Sequence, residues 1–134
     1  MDLDDLPLTG TCDLSTMGRR SGRWRRVEIW YVIVDGQMVV TGTPGARHWL
    51  ANLRTNPNAV VHLRDPARDL VVAVEEVTDE RSRRRIVAQA WHLQPWYAEQ
   101  AYSMEDWVQD SPMVTMVTRS ADSDGTAGGL EDVG

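Results

Sequence analysis

The 134-residue chain contains no lysine and no phenylalanine, and it has a single cysteine. One thiol excludes an internal disulfide and a cysteine-based zinc site. The three histidines, His48, His62 and His92, lack metal-ligand spacing and read as structural, so no metal site is expected. No apolar run approaches the roughly eighteen residues that span a bilayer, so no integral membrane contact is expected. The first residues, Met1-Asp2-Leu3-Asp4-Asp5, are acidic where a secretory signal would begin basic, so a cytoplasmic location is expected. Lysine is missing either through high-GC codon usage or through selection in concentrated salt. The length fits one domain with a real core.

What is present is arginine, unevenly placed. The formal net charge is −6. Residues 1–13 carry four aspartates and residues 120–134 carry four acids, with no base in either segment. Between residues 14 and 119, fourteen arginines face twelve acids. The body of the protein is thus slightly basic, and five of its arginines fall between Arg19 and Arg26. They sit in Leu14-Ser-Thr-Met-Gly-Arg-Arg-Ser-Gly-Arg-Trp-Arg-Arg26, where an apolar run ends in a glycine-bounded turn. Such a turn leaves backbone N–H groups free, and guanidinium groups add donors and charge, which suits phosphate or carboxylate. A merely solvated hairpin is the bland alternative. Nucleic acid is not expected as the partner, because the rest of the chain is acidic and no nucleic-acid motif is visible.

The pattern predicts an α+β domain. Residues 1–10 read as a loose arm, with Leu8 to Ser15 a first strand. Arg25 to Val34 is the clearest strand, with Val27, Ile29, Tyr31 and Ile33 on one face and Glu28, Trp30, Val32 and Val34 on the other. Apolar residues on both faces suit a strand buried on both sides, as in a small barrel. Asp35-Gly36 signals a hairpin turn into a strand from Gln37 to Thr43. A helix is predicted from Ala46 to Thr55, closed by Asn56-Pro57. Ala59 to Leu63 and Leu70 to Val77 are further strands around the turn Arg64 to Asp69. A helix capped by Thr78 or Asp79 runs to about Ala90. Helical pieces broken at Pro95 fill Trp91 to Asp110, and a last strand runs from Pro112 to Thr118. The acidic segment 120–134 is expected to be disordered. No Gly-x-Gly-x-x-Gly is present, and strands do not alternate regularly with helices, which argues against a Rossmann sheet.

The order of motifs is specific: the Gly18-Arg-Arg-Ser-Gly22 turn, the strand Val27-Glu-Ile-Trp-Tyr31, the loop Thr41-Gly-Thr-Pro-Gly45, and Trp49-Leu-Ala-Asn-Leu-Arg-Thr-Asn-Pro57. It resembles the deazaflavin (F420)-dependent nitroreductase family, also called F420H2-dependent quinone reductases, over residues 11–119. The resemblance implies a split β-barrel of about six mostly antiparallel strands with a few short helices, of the FMN-binding, pyridoxamine-phosphate-oxidase-like type. It implies an F420H2-dependent reductase passing a hydride to a quinone, enone or nitro-type acceptor. An FMN-dependent oxidoreductase on the same fold is the alternative, and a non-catalytic flavin or deazaflavin carrier is the rival outside enzymes.

On this resemblance Arg20 and Arg25 face the cofactor's phosphate or tail carboxylates, with Arg19 and Ser21 as added donors. Thr41, Gly42 and Thr43 match a small-residue strand end where backbone approaches the ligand closely. Trp49 and Asn52 match the following helix. Where the family often carries Ser-Lys before its glycines, this chain has the shorter Thr43-Pro44-Gly45, and Arg47 is the nearest replacement for the lysine. Trp96, Tyr97, Tyr102 and Trp107 occupy the region that carries acceptor-site tyrosines in the family, and their alternative role is packing. Cys12 reads as a buried small residue. No Ser/His/Asp arrangement is suggested, and none is needed where the cofactor carries the chemistry. Six tryptophans and the short strands of a small barrel lead to the expectation of a homodimer, with Trp96 and Trp107 near the contact or the groove.

Overall fold

Six antiparallel strands close into a barrel in the computed structural model, which describes residues 3–64 and 67–118. The strands are β1 (Thr9–Met17), β2 (Trp24–Val34), β3 (Gln37–Thr41), β4 (Asn58–Arg64), β5 (Ala67–Glu76) and β6 (Met113–Thr118). Their order around the barrel is β1-β2-β3-β6-β5-β4, and β4 pairs back onto β1. Three α-helices, α1 (His48–Thr55), α2 (Glu80–Leu93) and α3 (Met104–Asp110), and a 3-10 turn at Pro95–Glu99 complete the α+β fold.

The two-sided apolar pattern of β2 has a direct structural cause. Ile29, Tyr31 and Ile33 point into the barrel, where they join Leu14, Val40, Val61, Val72 and Val114. Val32 and Val34 point outward into a second apolar cluster with Ile86 and Val87 of α2, Tyr97, and Trp107 of α3. The strand is therefore buried by the barrel on one face and by the helical segment on the other. Asp35 and Gly36 both adopt positive φ, 54° and 78°, as the two-residue turn between β2 and β3 requires.

Local signals set the helices. Asp79 caps α2 by accepting from Ser82 N–H at 2.8 Å. Ser103 and Asp106 form a reciprocal capping box at the start of α3. Pro95 opens the 3-10 turn, where its missing N–H costs nothing. Trp49, Leu50 and Leu53 of α1 plug into the barrel core, as their spacing indicates.

Arg83 ties these pieces together. Its guanidinium, on the buried face of α2, donates to Val108 O at 2.6 Å, Val77 O at 2.7 Å and the Ser111 carbonyl. Burial pulls its pKa below the ordinary arginine value.

The structure differs from the sequence reading at several ends. Residues 3–8 are no loose arm: Leu3 is buried in the barrel cluster, Leu6 packs on it, and Asp5 pairs with Arg68 at 3.0 Å. β3 stops at Thr41, two residues before the predicted Thr43. The β4–β5 ladder extends to Arg64↔Ala67, so the predicted six-residue turn is largely strand. Segment 120–134 lies outside the described residues.

Candidate functional site

The arginine turn joins β1 to β2. Gly18 N–H donates to Arg23 O at 2.8 Å and Gly22 N–H to Gly18 O at 2.9 Å, closing the turn on itself. Two glycines are needed for different reasons. Gly22 sits at φ +68°, a region that L side chains rarely adopt. A Cβ on Gly18 would fall 2.5 Å from Ser21 Oγ and 3.1 Å from Arg23 O.

The turn is fastened to α1 by one side chain. Asn52 Oδ1 accepts from Arg19 N–H at 3.1 Å and from Arg19 Nη1 at 2.9 Å. Its Nδ2 donates to Thr16 Oγ1 at 3.1 Å, and both Asn52 and Thr16 are buried. Asn52 thus has the polar task that its weak helix propensity suggested, and Arg19 is committed to holding the turn.

The other cations of the turn are uncommitted. The guanidinium groups of Arg20, Arg23 and Arg25 have no hydrogen-bond or ion-pair partner among the described residues, and all three are exposed. The backbone N–H groups of Arg20 and Ser21 likewise meet no acceptor among the described residues. Several other arginines are ion-paired: Arg26 and Arg64 with Asp13, Arg54 with Glu76, Arg84 with Glu80 and Glu105, and Arg85 with Asp35. Like charges left unneutralised within one turn raise a positive potential there.

Arg20, Ser21 and Arg25, but not Arg23, border a groove of about 460 Å³ between the turn and α1. Arg19, Arg20, Ser21, Arg25, Trp49 and Asn52 all line it, so six of the candidate site residues converge. Trp49 is a barrel-core residue and a wall of the groove at once, being 7% exposed. Thr16, Trp24, Val27 and His48 also line the groove and were not singled out from the sequence. Trp24 is 52% exposed and Val27 38%, a large apolar surface for solvent to wet. Strand alternation could have placed Trp24, since it is the register partner of Met17 at the strand end beside the turn.

Thr41, Gly42, Thr43 and Arg47 do not border this groove. Thr41 Oγ1 donates to Pro112 O at 2.7 Å, stitching β3 to the start of β6. Arg47 folds back on its own loop, donating to Thr43 O at 2.8 Å and Thr43 Oγ1 at 2.7 Å.

The aromatic group lies elsewhere again. Trp30 stacks on Trp96 at 5.3 Å, and Tyr97 meets Trp107 edge-on at 5.0 Å. Tyr97 and Trp107 are fully buried in the cluster between β2, β3 and the helices, which leaves Trp107 no surface for a partner chain. Tyr102 is 40% exposed. None of the four borders the arginine groove.

Burial pushes the Cys12 thiol up to about 12, which matches its reading as a buried small residue. Among the described residues no three His, Cys, Asp or Glu side chains come together in a metal-binding group. No helix among them is long and apolar enough to cross a membrane.

Comparison with known structures places the fold. The conserved hypothetical protein Rv2991 of Mycobacterium tuberculosis superposes with a TM-score of 0.64 at 19% identity, over 82% of this chain and 73% of that one. A general stress protein 26-related protein of the pyridoxinephosphate oxidase family, from Clostridium acetobutylicum, gives 0.58 at 15% identity, over 81% and 74%. An FAD-binding protein of Mesorhizobium loti gives 0.58 at 14% identity, over 82% and 81%. The chain shares the split-barrel fold of these proteins. No curated protein matches it. The family model for F420H(2)-dependent quinone reductase matches residues 5–108, across the arginine turn, the groove and both large helices. By that match the chain belongs to the F420H2-dependent quinone reductase family, a family of oxidoreductase enzymes whose cofactor is F420.

Proposed function

We propose that this protein binds reduced F420 in the arginine groove and reduces a small quinone, enone or nitro-type acceptor there. The observation that carries the proposal is the set of unpaired donors on one turn: the Arg20 and Arg25 guanidinium groups and the Arg20 and Ser21 N–H groups. F420 is anionic, with a phosphate and an oligoglutamate tail, so its charge matches this donor set. When bound, the reduced deazaflavin supplies the hydride.

The chain's own residues have three tasks. Arg20 and Arg25 neutralise and anchor the anionic portion. Asn52, through Arg19 and Thr16, fixes the turn so that little ordering remains to be done on binding. Trp49, Val27 and Trp24 offer apolar faces on which a planar ring and acceptor align and from which water is displaced. Hydride transfer between two aligned partners requires positioning above all, so the absence of an acid–base pair in the groove is no obstacle.

A flavin remains the competing cofactor on this fold. FMN has a single phosphate and lacks the oligoglutamate tail, so it would satisfy fewer of the free cations. The test is a titration of the purified protein with F420 and with FMN, followed by turnover with NADPH-free F420H2 and a quinone. Tight FMN binding with no F420 binding would overturn the assignment. F420 binding without turnover over a broad acceptor panel would make the protein a carrier.

We also propose a homodimer. The barrel is closed among the described strands, so free strand edges do not drive it. The support is the outer face of β6, where Val117 stands 54% exposed. Sedimentation in low and high salt tests it, and a monomer at micromolar concentration in both would count against it.

A further inference from the structure

The outer face of the barrel carries a second arrangement, whose three residues do not line the groove. Ser15 Oγ lies 2.8 Å from His62 Nε2, and His62 Nδ1 lies 2.8 Å from Asp69 Oδ1. The three residues come from β1, β4 and β5: His62 and Asp69 face each other across the β4–β5 hairpin, and the β1–β4 register brings Ser15 to them from 47 residues away. His62 is the register partner of Asp13 on one side and of Asp69 on the other. Ser15 stands one step along β1 on the same face as Asp13.

The charges fix the roles. Asp13, directly opposite His62, is taken by Arg64 and Arg26, and the pair holds its carboxyl below the usual carboxylate range. Asp69 has no other side-chain partner among the described residues and is left to the imidazole. An ionised carboxylate only accepts, so Nδ1 must carry the proton. In the neutral ring Nε2 is then the acceptor, and the Ser15 hydroxyl donates to it. That is the tautomer and proton position in which a serine is activated as a nucleophile.

We propose that Ser15, His62 and Asp69 form a serine-nucleophile centre that cleaves short-chain, activated carboxylic esters, independently of the deazaflavin site. In the acylation step Ser15 Oγ bonds to the ester carbonyl carbon and its proton passes to His62 Nε2. The carbon–alkoxy bond then breaks, and the leaving oxygen takes that proton from His62. Water, deprotonated by the same nitrogen, releases the acyl group as a carboxylic acid and restores Ser15. No oxidant or reductant is consumed.

The surroundings define the substrate class. Ser15 is opposed by Val60 on β4, and Val60 by the exposed Val71 on β5, so the acyl chain meets a small apolar strip. On the other side Ser15 is opposed by Arg26, whose Nε donates to Asp13 and whose terminal guanidinium nitrogens have no partner among the described residues. His62 is mostly covered, its side chain 14% exposed, whereas that of Asp69 is 68% exposed. Water screens the Asp69–His62 pair, which limits the stabilisation of imidazolium and restricts the centre to esters with good leaving groups.

The test is covalent labelling of the full chain with a fluorophosphonate, read by intact mass and peptide mapping, together with hydrolysis of p-nitrophenyl acetate. One adduct on Ser15 is expected, with loss of fluoride. Ser15→Ala should abolish the adduct and the hydrolysis while leaving F420 binding unchanged. His62→Gln should slow labelling at least tenfold. Asp69 acts as a positioning residue: Asp69→Asn should slow labelling severalfold and Asp69→Glu should restore it, a pattern that a merely structural contact would not give. No adduct on the wild-type protein under conditions that label a control hydrolase would overturn the proposal, as would an adduct that persists in Ser15→Ala. Because Asp69 is exposed, its variants remain readable even if Ser15→Ala fails to fold.

Discussion

Asn52 holds Arg19 twice, accepting at one oxygen from both its backbone N–H and its guanidinium, 3.1 and 2.9 Å away. One amide on α1 thereby sets the position of a turn 33 residues earlier in the chain. Replacing Asn52 by alanine strands the buried Thr16 hydroxyl and frees Arg19. The expected loss of stability is about 1–3 kcal/mol, the cost of unsatisfied buried partners. F420 affinity should fall as well, because the freed turn must be ordered on binding. Denaturant unfolding and a fluorescence titration measure the two effects, and unchanged affinity would separate Asn52 from the site.

Arg20 and Arg25 should behave in the opposite way. Neither has a partner among the described residues, so Arg20→Ala and Arg25→Ala should leave the melting temperature nearly unchanged. Each should weaken F420 binding by about 1–3 kcal/mol, the scale of a hydrogen bond to a charged group. Variants that both unfold, or both bind normally, would contradict the anchoring role.

Arg83 has a purely structural task. Arg83→Met removes donors from three carbonyls at the meeting point of α2, α3 and β6. Breaking a buried charged network of this kind costs roughly 3–5 kcal/mol. A lower urea midpoint at unchanged slope is the expected result.

Acid should weaken the barrel through Asp13. Hydrogen bonds from Arg64 and Arg26 lower its pKa in the folded state, so the folded protein binds its proton less readily than the unfolded chain. The stability from this carboxylate is complete above the ordinary aspartate range and is lost as pH falls through the depressed folded value. Glu76, held low by Arg54, adds loss of the same sign. Urea midpoints should therefore fall between neutral pH and pH 3, and Asp13→Asn should show a shallower fall.

The legible and illegible parts of this molecule divide on physical grounds. The two apolar faces of β2, the Asp35-Gly36 turn and the Asp79 cap are local signals, and each appears where its residues place it. The arginine turn and α1 were likewise readable, since glycine spacing and helical periodicity are short-range. Partner choice was not. Arg47, named as a candidate ligand cation, donates to its own loop, and Tyr97 and Trp107, for which packing was the alternative to an acceptor role, lie buried between helices and barrel. Ser15, His62 and Asp69 gave no sequence signal, because the β1–β4 register alone brings Ser15 to a histidine 47 residues away.

The central claim is that unpaired arginines of the β1–β2 turn anchor an anionic deazaflavin. Titration of the protein with F420, followed by its fluorescence at low and at high ionic strength, tests it most directly. Charge contacts on an exposed turn are screened within about 8–10 Å at physiological salt. The account predicts saturable binding that weakens with salt in the wild-type protein, and a smaller salt dependence in the Arg20→Ala/Arg25→Ala double variant. Salt-independent binding of equal strength in both proteins, or binding of FMN alone, would contradict it.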